Sequence, residues 1–135
     1  MNIDLNERKK ILLIDDDEIH LVTAELYLKD EYEIYKAKSG KEALNYLYNN
    51  DFTPDLIMLD IVMPEMDGWE VFNRIKAIGL LKNTPIVFLT SADGEKERKR
   101  ARELGAVDYI TKPFNMSFLK STLKEIIDVK VNKKR

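Results

Sequence analysis

Three acidic residues stand at the end of the first apolar run of the chain. The segment "KILLI" (10–14) has the composition of a buried strand, and Asp15, Asp16 and Asp17 follow it directly. One aspartate at this place could cap the following helix. Three carry more negative charge than a cap requires, and a cation, or a phosphate that arrives with a cation, would offset that charge. The segment therefore predicts a site for a charged ligand.

Later apolar runs of the chain also end in polar side chains. Asp60 closes the third run, Thr90 closes the fourth, and Lys112 follows the fifth. In a parallel sheet with helices on both faces, functional groups gather beyond the carboxyl ends of the strands. Carboxylates that converge there suit Mg²⁺, a lysine adds a positive charge for an anion, and a threonine adds a hydrogen-bond donor.

The elements that must position these side chains are five short apolar runs. Runs that are apolar throughout favour a parallel sheet covered on both faces, and right-handed crossovers then give a doubly wound α/β fold. The runs are "KILLI" (10–14), "YEIYKA" (32–37), "DLIMLD" (55–60), "PIVFLT" (85–90) and "VDYI" (107–110).

Amphipathic stretches separate these runs and predict the covering helices. Ser39 is a predicted N-cap, Gly79 can stop the third helix, and Gly105 ends the charged fourth helix "KERKRARELG". The apolar stripes are Ile19, Val22 and Leu26; Ala43, Leu44 and Leu47; Val71, Phe72, Ile75 and Ile78; and Met116, Leu119, Leu123, Ile126 and Ile127.

The amino-acid composition of the chain excludes several classes of function. The chain has 135 residues, which favours one domain, and its formal net charge of -2 gives no whole-protein case for nucleic-acid binding. It has no cysteine, so disulfides and thiolate chemistry are excluded, and its one histidine, His20, cannot build a multi-histidine metal site. No apolar run approaches a membrane span and the first ten residues lack a signal-peptide core, so we expect a cytoplasmic domain.

Four motifs, in order and at characteristic separations, resemble the receiver domain of two-component response regulators. They are "LLIDDD", "LDIVMPEMDG", "FLTSA" and "YITKPF". The resemblance covers residues 9–129, and residues 1–8 and 130–135 are expected to be flexible ends. It implies a flavodoxin-like (βα)5 fold with the strand order 2-1-3-4-5.

The resemblance assigns roles to the charged residues. Asp60 looks like the phosphoacceptor. Asp15 and Asp16 look like the acidic pair that holds Mg²⁺, with Asp60 and the backbone carbonyl of Val62 completing the protein ligands. Lys112 resembles the lysine that contacts the phosphoryl group. The expected cofactor is therefore Mg²⁺, and the expected modification is an aspartyl phosphate.

It also assigns the residues that respond to phosphorylation. Thr90 resembles the switch hydroxyl and Tyr109 the switch aromatic, while the Lys112–Pro113 bond resembles one that is cis in the family. The positions that flank the approach of a hydrolytic water are Val62 and Ala92. Neither side chain can orient or deprotonate water, so we expect a long-lived phosphorylated state.

These roles imply a signalling switch rather than an enzyme. The expected partners are a histidine kinase or a histidine phosphotransfer protein as phosphodonor and a downstream effector, with the domain a monomer or a weak phosphorylation-dependent dimer. We expect a stand-alone receiver, and a receiver excised from a longer regulator with an output domain is the alternative. An aspartate-nucleophile phosphatase of the haloacid dehalogenase type is less favoured, because that class has a second Asp at the position occupied here by Val62. A nucleotide-binding module is also less favoured, because it would require a Gly-rich loop where this chain has "DDDEIH".

Several other polar and aromatic residues are expected to have structural rather than functional roles. Asp17 is expected to be a solvated or capping acid, His20 a helix-face residue, and Trp69 and Phe72 core or core-edge residues. The basic run of the fourth helix has acids interleaved, so a solvated helix face is favoured over a docking face for an acidic partner. The run comprises Lys96, Arg98, Lys99, Arg100 and Arg102.

Overall fold

The computed structural model describes residues 8–49, 52–92 and 94–133, and strands alternate with helices along the chain. The strands are β1 (Lys9–Ile14), β2 (Tyr32–Ala37), β3 (Leu56–Leu59), β4 (Ile86–Thr90) and β5 (Asp108–Thr111). The helices are α1 (Glu18–Leu28), α2 (Gly40–Leu47), α3 (Gly68–Lys76), α4 (Glu95–Leu104) and α5 (Met116–Lys133).

All strand pairs are parallel, and the sheet order is β2-β1-β3-β4-β5, which confirms the predicted topology. The fifth strand lies one residue later than predicted. The third helix ends at Lys76, before Gly79, and Gly79 instead begins a short 3-10 helix, Gly79–Leu81. The flexible ends expected at 1–8 and 130–135 lie largely outside the described residues, although Arg8 is described and α5 continues to Lys133.

Alternation along the strands divides the core between the two faces of the sheet. On β1, Leu12 and Ile14 belong to one buried cluster, and Ile11 and Leu13 belong to the other. The first cluster includes residues of α2, α3 and α4, and the second includes residues of α1 and α5. Both faces of the sheet are therefore covered, as the continuous apolar runs predict. Among the described residues, no helix is both long and apolar enough to cross a membrane.

The predicted buried stripe of α1 is wrong. Ile19, Val22 and Leu26 are 74%, 42% and 59% exposed, whereas the helix buries Leu21, Ala24 and Leu28. Both sets recur at helical spacing, so periodicity alone cannot choose between them. The helix therefore packs with one apolar face and presents a second one to solvent.

Side-chain caps determine where helices α1 and α2 begin. Asp17 is the N-cap of α1, and its carboxylate accepts a hydrogen bond from the N–H of Ile19 at 2.9 Å. Ser39 caps α2 in the same way, through the N–H of Glu42 at 3.0 Å. Both predicted caps are confirmed, and each satisfies a backbone donor that the helix itself cannot.

Candidate functional site

Three carboxylates meet at the carboxyl edge of the sheet. The β1–β3 register pairs Ile14 with Leu59, so Asp15 and Asp60 leave the sheet side by side. Asp16 follows Asp15, and one oxygen from each of the three carboxylates lies within 4.8 Å of the others. Asp15 and Asp60 are buried, whereas Asp16 is exposed. A compact all-oxygen set, partly open to solvent, fits a hard divalent cation that keeps some of its water.

The pKa of Asp60 is raised above its ordinary value. Desolvation by burial is the largest cause, and the negative charge of Asp15 adds to it. The ammonium of Lys112, a hydrogen bond from the Thr90 hydroxyl and the backbone N–H of Val62 act in the opposite direction without cancelling the shift. A cation placed among the three carboxylates would favour the ionised form, which is the form that can act as a nucleophile.

Lys112 directly follows β5, and its side chain reaches the carboxylates. Its Nζ lies 2.6 Å from Oδ2 of Asp15 and 3.5 Å from Oδ2 of Asp60. Its backbone N–H donates to the carbonyl of Thr90 at 2.9 Å, which fixes the lysine to the end of β4, and the Lys112–Pro113 bond is cis as expected. The ammonium thus lies where it can contact an anion attached to Asp60.

Gly68 allows α3 to begin directly against the backbone of Asp60. Its N–H donates to the carbonyl of Ile61 at 2.8 Å. A Cβ added to Gly68 would lie 2.3 Å from the carbonyl oxygen of Asp60 and 2.6 Å from Cα of Ile61. The sequence marks Asp67-Gly68 only as a turn, whereas Asp67 caps α3 and Gly68 permits this close approach.

Thr90 and Tyr109 are connected through the loop that follows β4. Thr90 is fully buried, and its Oγ1 accepts a hydrogen bond from the N–H of Ala92 at 3.2 Å. The hydroxyl of Tyr109 donates to the carbonyl of the same Ala92 at 2.5 Å. Tyr109 is itself buried, with its ring centroid 6.1 Å from that of Phe88. In this structure the aromatic ring is therefore turned inward.

His20 belongs to the site, although the sequence suggested only a helix-face residue. Its Nδ1 lies 2.9 Å from Nζ of Lys112 and 3.4 Å from Oδ2 of Asp15. The sequence does contain a signal for this role, because the first turn of α1 begins at the carboxyl edge of β1 and His20 lies in that turn. A side chain one turn after the acidic run can reach back over the carboxylates.

A cavity of about 750 Å³ opens from the carboxylates along α1. Its lining includes Asp15, Asp16, Asp60 and Lys112 at the carboxyl edge of the sheet, and also Thr23, Ala24, Tyr27, Phe114 and Met116. Val62, two residues after Asp60, also lines the cavity and is 62% exposed. Asp60 therefore lines a cavity that extends beside α1.

Comparison with known proteins identifies the class to which this architecture belongs. The family model of the response regulator receiver domain matches residues 11–124. The chain belongs to the response regulator receiver family. It is thus a signalling domain of the kind that phosphorylation controls in two-component and phosphorelay systems.

Individual relatives agree with this assignment. A CheY-like receiver domain protein of Methanospirillum hungatei superposes with a TM-score of 0.85 at 28% identity, covering 94% of this chain and 99% of that one. The receiver domain of HemR from Leptospira biflexa gives 0.79 at 36% identity, covering 89% and 94%. A curated relative from Vibrio cholerae, named a probable cyclic di-GMP phosphodiesterase, is 41% identical over 111 residues. Those residues are 82% of this chain but only 25% of that longer protein.

Proposed function

We propose that the domain is a Mg²⁺-dependent phosphoacceptor in which Asp60 receives the phosphoryl group. The observation that carries the proposal is the convergence of Asp15, Asp16 and Asp60 within 4.8 Å, with Nζ of Lys112 at their edge. Mg²⁺ would be held by these three carboxylates and the backbone carbonyl of Val62, and when bound it would offset the charge of the phosphoryl oxygens.

The transfer itself requires little beyond positioning and charge. A carboxylate oxygen of Asp60 attacks phosphorus in line, an O–P bond forms, and the bond from phosphorus to the donor's nitrogen or oxygen breaks, with the electron pair leaving on the donor. Lys112 faces the equatorial oxygens, where negative charge accumulates in the transition state. Its ammonium already lies 3.5 Å from Asp60, so little rearrangement precedes the reaction.

The contacts around Thr90 suggest how the phosphoryl group changes the surface. At rest Thr90 hydrogen-bonds Asp60 and accepts from the N–H of Ala92. A phosphoryl group moves the best acceptor outward, and Thr90 follows it. The N–H of Ala92 then loses its acceptor, the loop shifts, and the carbonyl that holds the hydroxyl of Tyr109 shifts with it. A local charge change thus becomes an altered α4–β5 surface for an effector.

The second apolar face of α1 is the proposed docking surface for the phosphodonor. Ile19, Val22 and Leu26 are exposed there, and Tyr27 of the same helix lines the cavity that leads to Asp60. An apolar helix face of a histidine kinase or histidine phosphotransfer protein would bury these side chains and bring its phosphohistidine to the carboxylates. A cytoplasmic location, a monomeric or weakly dimeric state and the absence of turnover of external substrates belong to the same proposal.

The test is incubation with acetyl phosphate with and without Mg²⁺, followed by intact mass spectrometry. We expect one phosphate per chain, dependent on Mg²⁺, stable to acid and labile to hydroxylamine. Asp60→Asn should carry none, because an amide is a poor nucleophile. Asp17→Asn is the matched control, since Asp17 is a nearby acid whose role is to cap α1, and it should be labelled like the parent.

Two outcomes would contradict the proposal. A one-phosphate adduct on Asp60→Asn would move the acceptor to another residue. Release of phosphate from many monoesters, in large excess over protein, would instead support an aspartate-nucleophile phosphatase.

A further inference from the structure

The ammonium of Lys112 has three acceptors within the part of the chain that the structure describes. Its Nζ lies 2.6 Å from Oδ2 of Asp15, 2.9 Å from Nδ1 of His20 and 3.5 Å from Oδ2 of Asp60. An ammonium has three N–H donors, so each acceptor can take one of them. The side chain of Lys112 is only 12% exposed, whereas that of His20 is 48% exposed. His20 therefore supplies the acceptor on the solvent side of the group.

The contact with Lys112 determines which ring nitrogen of His20 carries the proton. An ammonium can donate but cannot accept, so the nitrogen that faces it at 2.9 Å must be the one with a lone pair. Nδ1 is then bare and the proton lies on Nε2, which is 3.5 Å from an oxygen of Asp17. The side chains of His20 and Asp17 are both about half exposed, so water can take the place of Asp17 there. Toward Lys112, His20 therefore acts as a neutral acceptor.

Backbone contacts fix the two segments from which His20 and Lys112 meet. The backbone N–H of Asp17 donates to Oδ1 of Asp15 at 2.9 Å, which holds the start of α1 against the acidic residues. The backbone N–H of Lys112 donates to the carbonyl of Thr90 at 2.9 Å, which holds the lysine at the end of β4. Since both backbones are anchored, the contact between the two side chains requires only that their rotamers be ordered.

We propose that His20 is a positioning residue that holds the ammonium of Lys112 beside Asp60 during phosphoryl transfer. This role rests on the proposed function, in which Asp15 is a ligand of Mg²⁺. A metal ion on Asp15 would withdraw negative charge from the oxygen that Lys112 contacts most closely. His20 is not among the proposed metal ligands, because Mg²⁺ prefers oxygen. Its lone pair would therefore remain available to the ammonium when the carboxylate is shared with a cation.

The size of the expected effect follows from the strength of a hydrogen bond to a charged group. Lysine presents a point charge on a flexible four-carbon stem, so a fixed acceptor narrows the positions that its Nζ can occupy. Loss of one such bond should slow phosphoryl transfer by about 10-fold, the low end of the usual range, because His20 is half exposed. The free energy of unfolding should change little, since exposed side chains rarely support the fold.

The kinetic experiment measures the initial rate at which acetyl phosphate labels the full chain in excess Mg²⁺. We expect His20→Leu to slow labelling by about 10-fold. His20→Asn places an amide oxygen near the position of Nδ1 and should stay within about 3-fold of the parent. Glu18→Leu is the matched control, since Glu18 lies in the same turn, is 69% exposed and pairs with Lys38, and it should react like the parent. In a Lys112→Met background, His20→Leu should have no further effect, because it acts through the lysine.

A second measurement reports the contact in the absence of Mg²⁺ and phosphate. The chain has one histidine, so long-range ¹⁵N–¹H NMR of the untagged chain in mildly alkaline buffer reports its tautomer directly. We expect a bare Nδ1 and a protonated Nε2 in the parent, and a shift of the two tautomer populations in Lys112→Met.

Three results would overturn the proposal. They are labelling of His20→Leu at or above the rate of the parent, an equal loss of rate in the Lys112→Met background, and a protonated Nδ1 or a tautomer that Lys112→Met leaves unchanged. The second of these would show that the imidazole acts on the phosphodonor itself. Failure of the parent to be labelled, with the expected tautomer present, would instead count against the proposed function.

Discussion

Helices α3 and α4 stand on the same face of the sheet, and they are attached in different ways. Helix α3 buries Trp69, Val71, Phe72 and Ile75, and its first residue, Gly68, is in contact with the backbone of Asp60. Helix α4 buries only Ala101 and relies on arginines that cover aromatic rings. The helix that adjoins Asp60 is fixed by core packing, whereas the helix proposed to carry the response is fixed by contacts that can be exchanged.

The difference has a physical basis. The ring of Phe72 stacks on that of Phe88 at 5.5 Å, and Trp69 packs against the same ring at 5.0 Å, so moving α3 would open the core. An arginine lifted from an aromatic face can regain its hydrogen bonds from water, and the loss is about 1 kcal/mol. Low local stability is what an element that moves in signalling requires.

The largest effect should appear when the packing of the two helices is compared directly. Phe72→Ala should lower the free energy of unfolding by about 3–5 kcal/mol, because it leaves a cavity in the core. Leu104→Ala on α4 should cost less than about 1 kcal/mol, because its side chain is already partly exposed. Urea unfolding followed by circular dichroism measures both. Similar losses would show that α4 is anchored as firmly as α3.

The rate of phosphorylation should depend on the residues around Asp60 and not on those of α4. Lys112→Met should slow phosphorylation by acetyl phosphate by about 100- to 1000-fold, because it removes a positive charge from the transition state. Lys99→Met on α4 is the control and should react like the parent, since Lys99 is exposed and lies beside Glu103. The initial rate of labelling is the measurement. A loss below 10-fold for Lys112→Met would remove that lysine from its proposed role.

The neighbouring acids Asp16 and Asp17 should differ in their effect on Mg²⁺ affinity. Asp16→Ala should weaken Mg²⁺ binding by about 10- to 100-fold, because Asp16 belongs to the three-carboxylate group. Asp17→Ala should cost about 1 kcal/mol of stability through the lost cap, with Mg²⁺ affinity nearly unchanged. Isothermal titration with Mg²⁺ decides between these expectations. Equal losses of affinity would mean that Asp17 is also a ligand.

The smallest effect concerns access of water to the phosphoryl group. The two positions expected to flank the approaching water are Val62 and Ala92. Val62 lies two residues after Asp60, and Ala92 lies in the loop before α4. Val62→Asn should speed dephosphorylation by about 10-fold, or about 1.4 kcal/mol of barrier, because a carboxamide can align water where valine obstructs it. First-order loss of phosphate, followed after donor removal in excess Mg²⁺, gives the rate. A decay no faster than the parent's would show that Val62 does not limit hydrolysis.

The sheet and its functional edge could be predicted because they depend on local signals. Buried strands read as continuous apolar runs, and Asp15, Asp60, Thr90 and Lys112 each stand at or just beyond a strand end, where a parallel sheet brings them together. The strand order came from resemblance, since no pattern in the apolar runs distinguishes one order from another.

Side-chain direction on the helices could not be predicted in the same way. Helix α1 is apolar on two faces, and the contact with the sheet, rather than periodicity, decides that Leu21 is buried and Ile19 exposed. Arg98 reads as a surface charge, because nothing in the sequence shows that a ring of β5 lies beneath it. The contact of His20 with Lys112 was missed for a similar reason, since these two residues are distant in sequence.

The most direct test is hydrogen exchange of the parent in Mg²⁺, with and without beryllofluoride, and with Asp60→Asn as the inactive control. We expect changed protection in α4 (Glu95–Leu104) and β5 (Asp108–Thr111) and unchanged protection in α3 (Gly68–Lys76). The control should show no change in any of the three. Unchanged protection across α4 and β5 in the parent, or a change of equal size in α3, would contradict a response carried by α4 and β5.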